Sequence, residues 1–221
     1  MDTKNPQFFY DVSQFPTLHF LSEYLETIKK ELTVLLQGSA KKTPWMETFP
    51  QYVVSNASEA WKVFPFTFYT MNHPVNQQQC PETTAIIRKI PDLISCDFSR
   101  MKGKTRISPH TGYSRMILRC HFPVIVPNGK TCGITVGNEK RFHEEGQLLL
   151  FDDSYEHAAW NDSDEDRIVL MFDIPNPFWG YSAHQISQYK IETLDDPFLL
   201  GIASKEAWLE AFHRGVLPLV T

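Results

Sequence analysis

Long apolar runs are missing from this chain. No segment approaches the ~20 residues needed to span a bilayer. The start, MDTKNPQFFYDVS, has no basic stretch followed by an apolar one, so no secretory signal is read there. Cysteine is scarce: Cys80, Cys96, Cys120 and Cys132 are the only four in 221 residues, and none form a CxxC pair. That number is too small for a disulfide scaffold, and the spacing disfavours a four-cysteine zinc site, which pairs its ligands closely. Together these absences predict a reduced, soluble, cytoplasmic protein. An excess of positive charge is missing too. The net charge is −5, which disfavours a general nucleic-acid binder. Internal repeats, low-complexity linkers and an HExxH zinc motif are also absent.

Aromatic residues, by contrast, are plentiful. Sixteen Phe, eight Tyr and five Trp can build a large core, and fifteen Pro against ten Gly point to rigid turns and a β-rich fold. Acid is distributed unevenly. Residues 99 to 138 contain no Asp or Glu but carry Arg100, Lys102, Lys104, Arg106, Arg115, Arg119 and Lys130. Acids gather at Asp152, Asp153 and from Asp162 to Asp166. Two readings of the basic stretch stand: solvated loop charges, or a rim that attracts an anionic ligand.

Leu18, Leu21, Leu25, Ile28, Leu32 and Leu35 recur at spacings of three and four, predicting a helix over 16–36 with Gly38 as its stop. Residues 38–92 read as irregular and Pro-punctuated, with a short helix at 83–90. From about residue 94 the pattern changes to strands at 116–122, 132–137, 147–153 and 167–174, with no helix-length pattern between them. Strands at such intervals predict an antiparallel sandwich or jelly roll. Ser204 and Gly215 bracket a short C-terminal helix. The length fits one domain: a helical or irregular N-terminal region (1–92) packed on a β core (93–177), with an extension over 178–221.

Most of the eight His have plain explanations. His19, His73, His184 and His213 lack partners, and His143 falls in a turn. His110, just before a strand, and His157, just after one, can meet in an antiparallel barrel and could ligate a metal as neutral imidazoles. Period-2 alternation puts Arg119 and His121 on one strand face with Ile117, and Arg167 on a face with Val169 and Met171. An Arg on an apolar face needs an anion. The partner is either a nearby Asp (Asp152, Asp153 or Asp173) or a bound carboxylate or phosphate.

Several segments in order resemble the aspartyl/asparaginyl β-hydroxylase family: FYDVSQFP (9–16), CPET (80–83), FSRMKGKTRISPHTG (98–112), LRCHFPVIVP (118–127), VGNEKRFHEEGQLLLFDDSYEHAAWND (136–162) and the strand from Arg167. The resemblance implies a mainly β, double-stranded β-helix fold (a cupin-like jelly roll) and an Fe(II)- and 2-oxoglutarate-dependent dioxygenase. It implies His110 and His157 as iron ligands. It implies Arg167 and Ser99 at the distal carboxylate of 2-oxoglutarate, and Arg119 and His121 around its other end. It leaves the substrate open among small molecules, peptides and lipid-like compounds.

Two positions depart from related enzymes. Two residues after the first His, where most iron oxygenases have a carboxylate ligand, stands Gly112. The expectation is that water takes this place, with Asp152 and Asp153 orienting His157 from behind. Ile117 stands where the peptide-aspartyl hydroxylases have an Arg, which disfavours an aspartyl substrate in a secreted domain. A lipid A acyl-chain hydroxylase would suit an anionic substrate, but that branch usually carries membrane segments. The expected activity is hydroxylation of an unactivated C–H bond. The alternative is a jelly-roll anion-binding protein that has lost iron chemistry.

Overall fold

The computed structural model describes residues 6–38 and 45–218. The N-terminal segment runs β1 (Phe9–Tyr10), a 3-10 stretch over Pro16–Tyr24 and helix α1 (Leu25–Gln37). The predicted helix over 16–36 is therefore split, its first half wound more tightly. Its apolar stripe survives the change, because Leu18, Leu21, Ile28, Leu32 and Leu35 are all buried. Next come β2 (Met46–Glu47), β3 (Val53–Val54), β4 (Trp61–Phe68), β5 (Met71–Asn72), α2 (Pro74–Gln79) and α3 (Pro81–Ile87). Eight strands follow without an intervening helix: β6 (Ser95–Met101), β7 (Thr105–His110), β8 (Ile117–Ile125), β9 (Cys132–Val136), β10 (Glu139–Phe142), β11 (Leu149–Phe151), β12 (His157–Asn161) and β13 (Arg167–Pro175). The chain closes with α4 (Ala183–Glu192), α5 (Pro197–Ile202) and α6 (Lys205–Arg214).

The eight strands divide between two antiparallel sheets, switching sheet at each step except from β9 to β10. One has the order β1-β11-β8-β13-β6-β4-β2, and the other β10-β9-β12-β7-β3. Interleaving of this kind is the double-stranded β-helix, as expected. Strand β4, in the stretch expected to be irregular, extends the larger sheet by pairing with β6. Pro65 hid it, since proline cannot donate to a ladder. The strand accommodates Pro65 with a register shift between Pro65 and Thr67. Helices α4 and α5 were also unforeseen. Ser182 and Gln185 form a capping box at α4, and Asp196 caps α5. Helix α6 starts at the Ser204 cap and stops at Gly215, whose φ of 67° suits glycine.

The two faces of the larger sheet have opposite characters. Phe64, Phe98, Leu118, Cys120, Phe122, Leu170 and Phe172 pack outward against α1, α3 and the 3-10 stretch in the main core. Alternation then sends Arg119, His121, Arg167 and Ser99 inward, between the sheets. The helices thus supply the hydrophobic cover that a polar barrel interior cannot. The four cysteines are buried free thiols. Among the described residues, no helix is long and apolar enough to cross a membrane.

Because Phe98 is fully buried against Phe64 and Phe66, Phe98→Ala should lower unfolding free energy by about 3–5 kcal/mol. Val54→Ala, at a position 58% exposed, should change it by less than about 0.5 kcal/mol. Urea unfolding of both variants checks whether the sheet–helix layer carries stability as described.

Candidate active site

Strands β7 and β12 pair so that His110 and His157 face each other directly. One residue lies between His157 and Ala159, whereas two lie between Ile107 and His110, so β7 bulges at Ser108–Pro109. Proline fits a bulge because no ladder donor is required there, and the extra residue aims His110 at its partner. The ring centroids lie 4.2 Å apart. The Nδ1–H of His110 donates to the Ser108 carbonyl and that of His157 to the Tyr155 carbonyl, each at 2.9 Å. Those bonds fix the tautomer and leave both Nε2 lone pairs free. Burial lowers both imidazole pKa values, that of His157 to about 3, helped by its closeness to His110. Both rings are therefore neutral at pH 7, the state a metal requires. Tyr52 stacks on His110 at 4.6 Å. Nothing in the sequence marks Tyr52, because its place depends on the short strand β3.

Across the pocket lies Arg167, 1% exposed. Among the described residues its Nη2 reaches only the Met101 sulfur, at 3.6 Å, and Nε and Nη1 have no hydrogen-bond partner. Burial pulls its pKa down to about 10, so it is still protonated at neutral pH. Ser99 sits diagonally across the β6–β13 pairing on the same face. The Ser99 hydroxyl accepts from Trp61 Nε1–H at 3.0 Å, which leaves its own proton to donate. Alternation along β4 places Trp61 in this pocket, which the reading of 38–92 as irregular missed. Ser99, His110, Arg119, His121, His157 and Arg167 all line one pocket. The structure thus brings together all six residues that the sequence singled out.

The two arginines differ. The Nε and Nη2 of Arg119 grip Asp173 at 2.9 and 3.0 Å, and its Nη1 meets Asp153 at 3.1 Å. Of the two readings made from sequence, the Asp-paired one holds for Arg119. No fork remains free for a ligand, which removes it as a primary anion clamp. Arg167, with no carboxylate beside it, fits the other reading. His121 also differs from expectation, because its Nδ1 lies 3.1 Å from Nε2 of His143. His143, read from the sequence as a turn residue, follows β10 and is buried. Burial holds both imidazoles well below the usual range, and the Arg167 charge adds to the effect.

Two further corrections concern charge and space. A Cβ built at Gly112 would collide with the Asp153 carboxylate, so the place expected to be open is filled by that side chain. Burial pushes the Asp153 carboxyl up to about 7, against the pull of Arg119. Nor do Asp152 and Asp153 orient His157 through their carboxylates: Asp152 caps Ser154, and His157 is held by backbone. The basic stretch is largely neutralised. Arg100 pairs with Asp166 and Arg106 with Asp162, each at 2.6 Å, and Lys104 pairs with Asp164 at 3.3 Å. Acids of the 162–166 cluster are the partners of these three cations, while Lys102 donates to the Ser58 carbonyl and Arg115 lies over the Tyr155 ring. No group of three or more His, Cys, Asp or Glu set to hold a metal occurs among the described residues.

Fold and pocket define a class: a double-stranded β-helix protein whose barrel holds a neutral histidine pair opposite a buried, unpaired cation. Comparison with known proteins makes this specific. The chain belongs to the aspartyl/asparaginyl beta-hydroxylase family, whose sequence profile matches residues 22–177. An ornithine lipid ester-linked acyl 2-hydroxylase of Rhizobium tropici is 30% identical over 169 residues, covering 76% of this chain and 60% of that protein. The aspartyl/asparaginyl beta-hydroxylase of Homo sapiens is 34% identical over 110 residues, covering 46% of this chain but 14% of that protein. The chain therefore spans less than two thirds of either relative. Among solved structures, a Cupin_2 domain of an XRE family transcriptional regulator from Enterobacter cloacae superimposes with a TM-score of 0.36 at 14% identity, over 52% of this chain and 96% of that one. So loose a likeness adds nothing to the strand order, which defines the fold by itself.

Gly112 generates a prediction opposite to that of an open site. Adding a side chain there must displace the buried Asp153 carboxylate and strain its contact with Arg119. Gly112→Ala should cost about 1–3 kcal/mol, as overpacking does, and Gly112→Asp should cost more by adding a like charge. Thermal unfolding of the two variants checks this. Unchanged melting temperatures would mean that Asp153 does not fill the space.

Proposed function

We propose that this protein is an Fe(II)- and 2-oxoglutarate-dependent hydroxylase acting on an unactivated C–H bond. The observation that carries this reading is the buried Arg167 guanidinium with two unsatisfied nitrogens. A buried cation without a partner costs several kcal/mol. A fold keeps one where a ligand supplies the anion. A carboxylate fits the planar fork bidentately, with the Ser99 hydroxyl as a further donor. Because the histidine pair shares the same pocket, the ligand that reaches Arg167 with one end can approach a metal with the other. A dicarboxylate with a 2-oxo acid head matches that layout.

His110 and His157 would hold Fe(II) through their free Nε2 atoms. Bound there with 2-oxoglutarate, iron supplies the activation of dioxygen, and the overall reaction converts C–H, 2-oxoglutarate and O2 to C–OH, succinate and CO2. The chain's own residues bind and orient. Arg167 fixes the register of the dicarboxylate, and Ser99 donates to the same end. His121, kept neutral by burial and by His143, presents its ring to the 2-oxo acid end without adding charge. Arg119, bound to Asp173 and Asp153, shapes the wall between that end and Gly112. Trp61, Phe151 and Ala159 give the same pocket an apolar wall.

The test uses Arg167→Met, which keeps the volume and removes the charge. Binding of 2-oxoglutarate should weaken by about 1.5–3 kcal/mol, roughly 10- to 150-fold. The ligand-free variant should at the same time melt higher than the wild type, because an uncompensated buried charge is gone. Titration calorimetry and thermal unfolding read the two effects. Lower stability together with unchanged binding would contradict the assignment. His110→Ala and His157→Ala should each abolish Fe(II)-dependent succinate formation while leaving 2-oxoglutarate contact at Arg167. If wild-type protein binds 2-oxoglutarate and Fe(II) but forms no succinate with any amino acid, peptide or lipid, the non-catalytic anion-binding alternative holds instead.

A further inference from the structure

His143 does not line the histidine pocket, yet it holds a residue that does. It follows β10 and is 3% exposed. Its backbone N–H donates to the Cys132 carbonyl at 3.0 Å, which ties it to the β9–β10 hairpin of the smaller sheet. His121 stands on β8 in the larger sheet, between Leu149 of β11 and Met171 of β13. The 3.1 Å contact of His121 Nδ1 with His143 Nε2 therefore bridges the two sheets. Phe151 meets the His121 ring nearly at right angles, with centroids 5.0 Å apart. His121 is thus held on two sides, and its Nε2 is the nitrogen left for the pocket that it lines.

One proton lies between the two facing nitrogens, and its place fixes the tautomer of both rings. Burial keeps both imidazoles neutral, with pKa values well below the usual range. If the proton sits on His121 Nδ1, His143 accepts at Nε2 and must carry its own proton on Nδ1. That Nδ1 is buried without a partner. An orphaned buried N–H is rarer in proteins than an under-used acceptor. If the proton sits on His143 Nε2, the unpartnered Nδ1 is a bare acceptor. His121 then accepts at Nδ1 and carries its proton on Nε2, so the pocket receives an N–H and not a lone pair. An ionised carboxylate offers only acceptors. The second arrangement alone suits the ligand assigned to this pocket.

We infer that His143 is a positioning residue: its Nε2–H donates to His121 Nδ1 and so sets His121 as an Nε2–H donor to the 2-oxo acid end of the cosubstrate. The inference rests on the hydroxylase reading and names a residue that touches no ligand in it. A ring engaged at its second nitrogen is fixed in both tautomer and orientation.

The experiment records long-range 1H–15N spectra of the ligand-free protein with 15N-labelled histidine. The two rings are assigned by comparison with His121→Asn and His143→Gln. Both should carry the proton on Nε2. Titration calorimetry with 2-oxoglutarate gives a second readout. His143→Phe keeps a ring in the space but has no donor, and should weaken binding about tenfold. His143→Gln restores an N–H for His121 Nδ1 and should bind within about threefold of wild type. A residue that only filled space would be replaced better by Phe than by Gln, so the order of the two variants separates positioning from packing. Protons on Nδ1 of both rings, or binding that His143→Phe leaves unchanged, overturns the inference. Arg167→Met then decides the reading beneath it: weakened binding in that variant keeps the hydroxylase reading, and unchanged binding removes both.

Discussion

The interior of this barrel is organised by one unmet requirement, an anion for the Arg167 guanidinium. A cation buried to 1% exposure with two free nitrogens is a poor structural element and a good binding element. Nearby charges are already matched. Arg119 is taken by Asp173 and Asp153, and the surface cations Arg100, Lys104 and Arg106 by Asp166, Asp164 and Asp162. A mobile carboxylate of the protein could have quenched Arg167, but none stands near it among the described residues. The local acids are thus committed elsewhere, and Arg167 keeps its guanidinium open to an anion from outside.

The scaffold makes this possible by inverting the usual burial pattern of its larger sheet. The outward face carries the hydrophobic core, covered by α1, α3 and the 3-10 stretch. The inward face is then free to hold Arg119, His121, Arg167 and Ser99. Backbone carbonyls at Ser108 and Tyr155 orient the histidine pair, so its geometry depends on the β7 bulge and on strand pairing. A mutation that flattened the bulge would move His110 without touching any ligand.

Much of this was legible in the sequence. Period-2 alternation assigned Arg119, His121 and Arg167 to their faces, and the motif order led to His110 and His157. Other features were invisible for physical reasons. Strand β4 was masked by Pro65, which sits at a register shift. The meeting of His143 with His121 depends on the β8–β9–β10 path. The filling of Gly112's space by Asp153 is a packing fact between segments 41 residues apart in sequence. The sequence left the basic stretch open between solvated charges and an anion-attracting rim, because the acids that pair with Arg100, Lys104 and Arg106 lie far along the chain at Asp162 to Asp166 and only folding brings them together.

The central claim is that Arg167 awaits the far carboxylate of a dicarboxylic 2-oxo acid. The most direct measurement compares the melting temperature of the protein with 2-oxoglutarate and with 2-oxobutyrate, which keeps the 2-oxo acid head and lacks the second carboxylate. Binding to the native state raises the melting temperature, the more so the tighter the ligand binds at a given concentration. The account predicts a clear rise with 2-oxoglutarate and almost none with 2-oxobutyrate at the same concentration. Equal shifts with the two would show that the distal carboxylate contributes nothing and would contradict it.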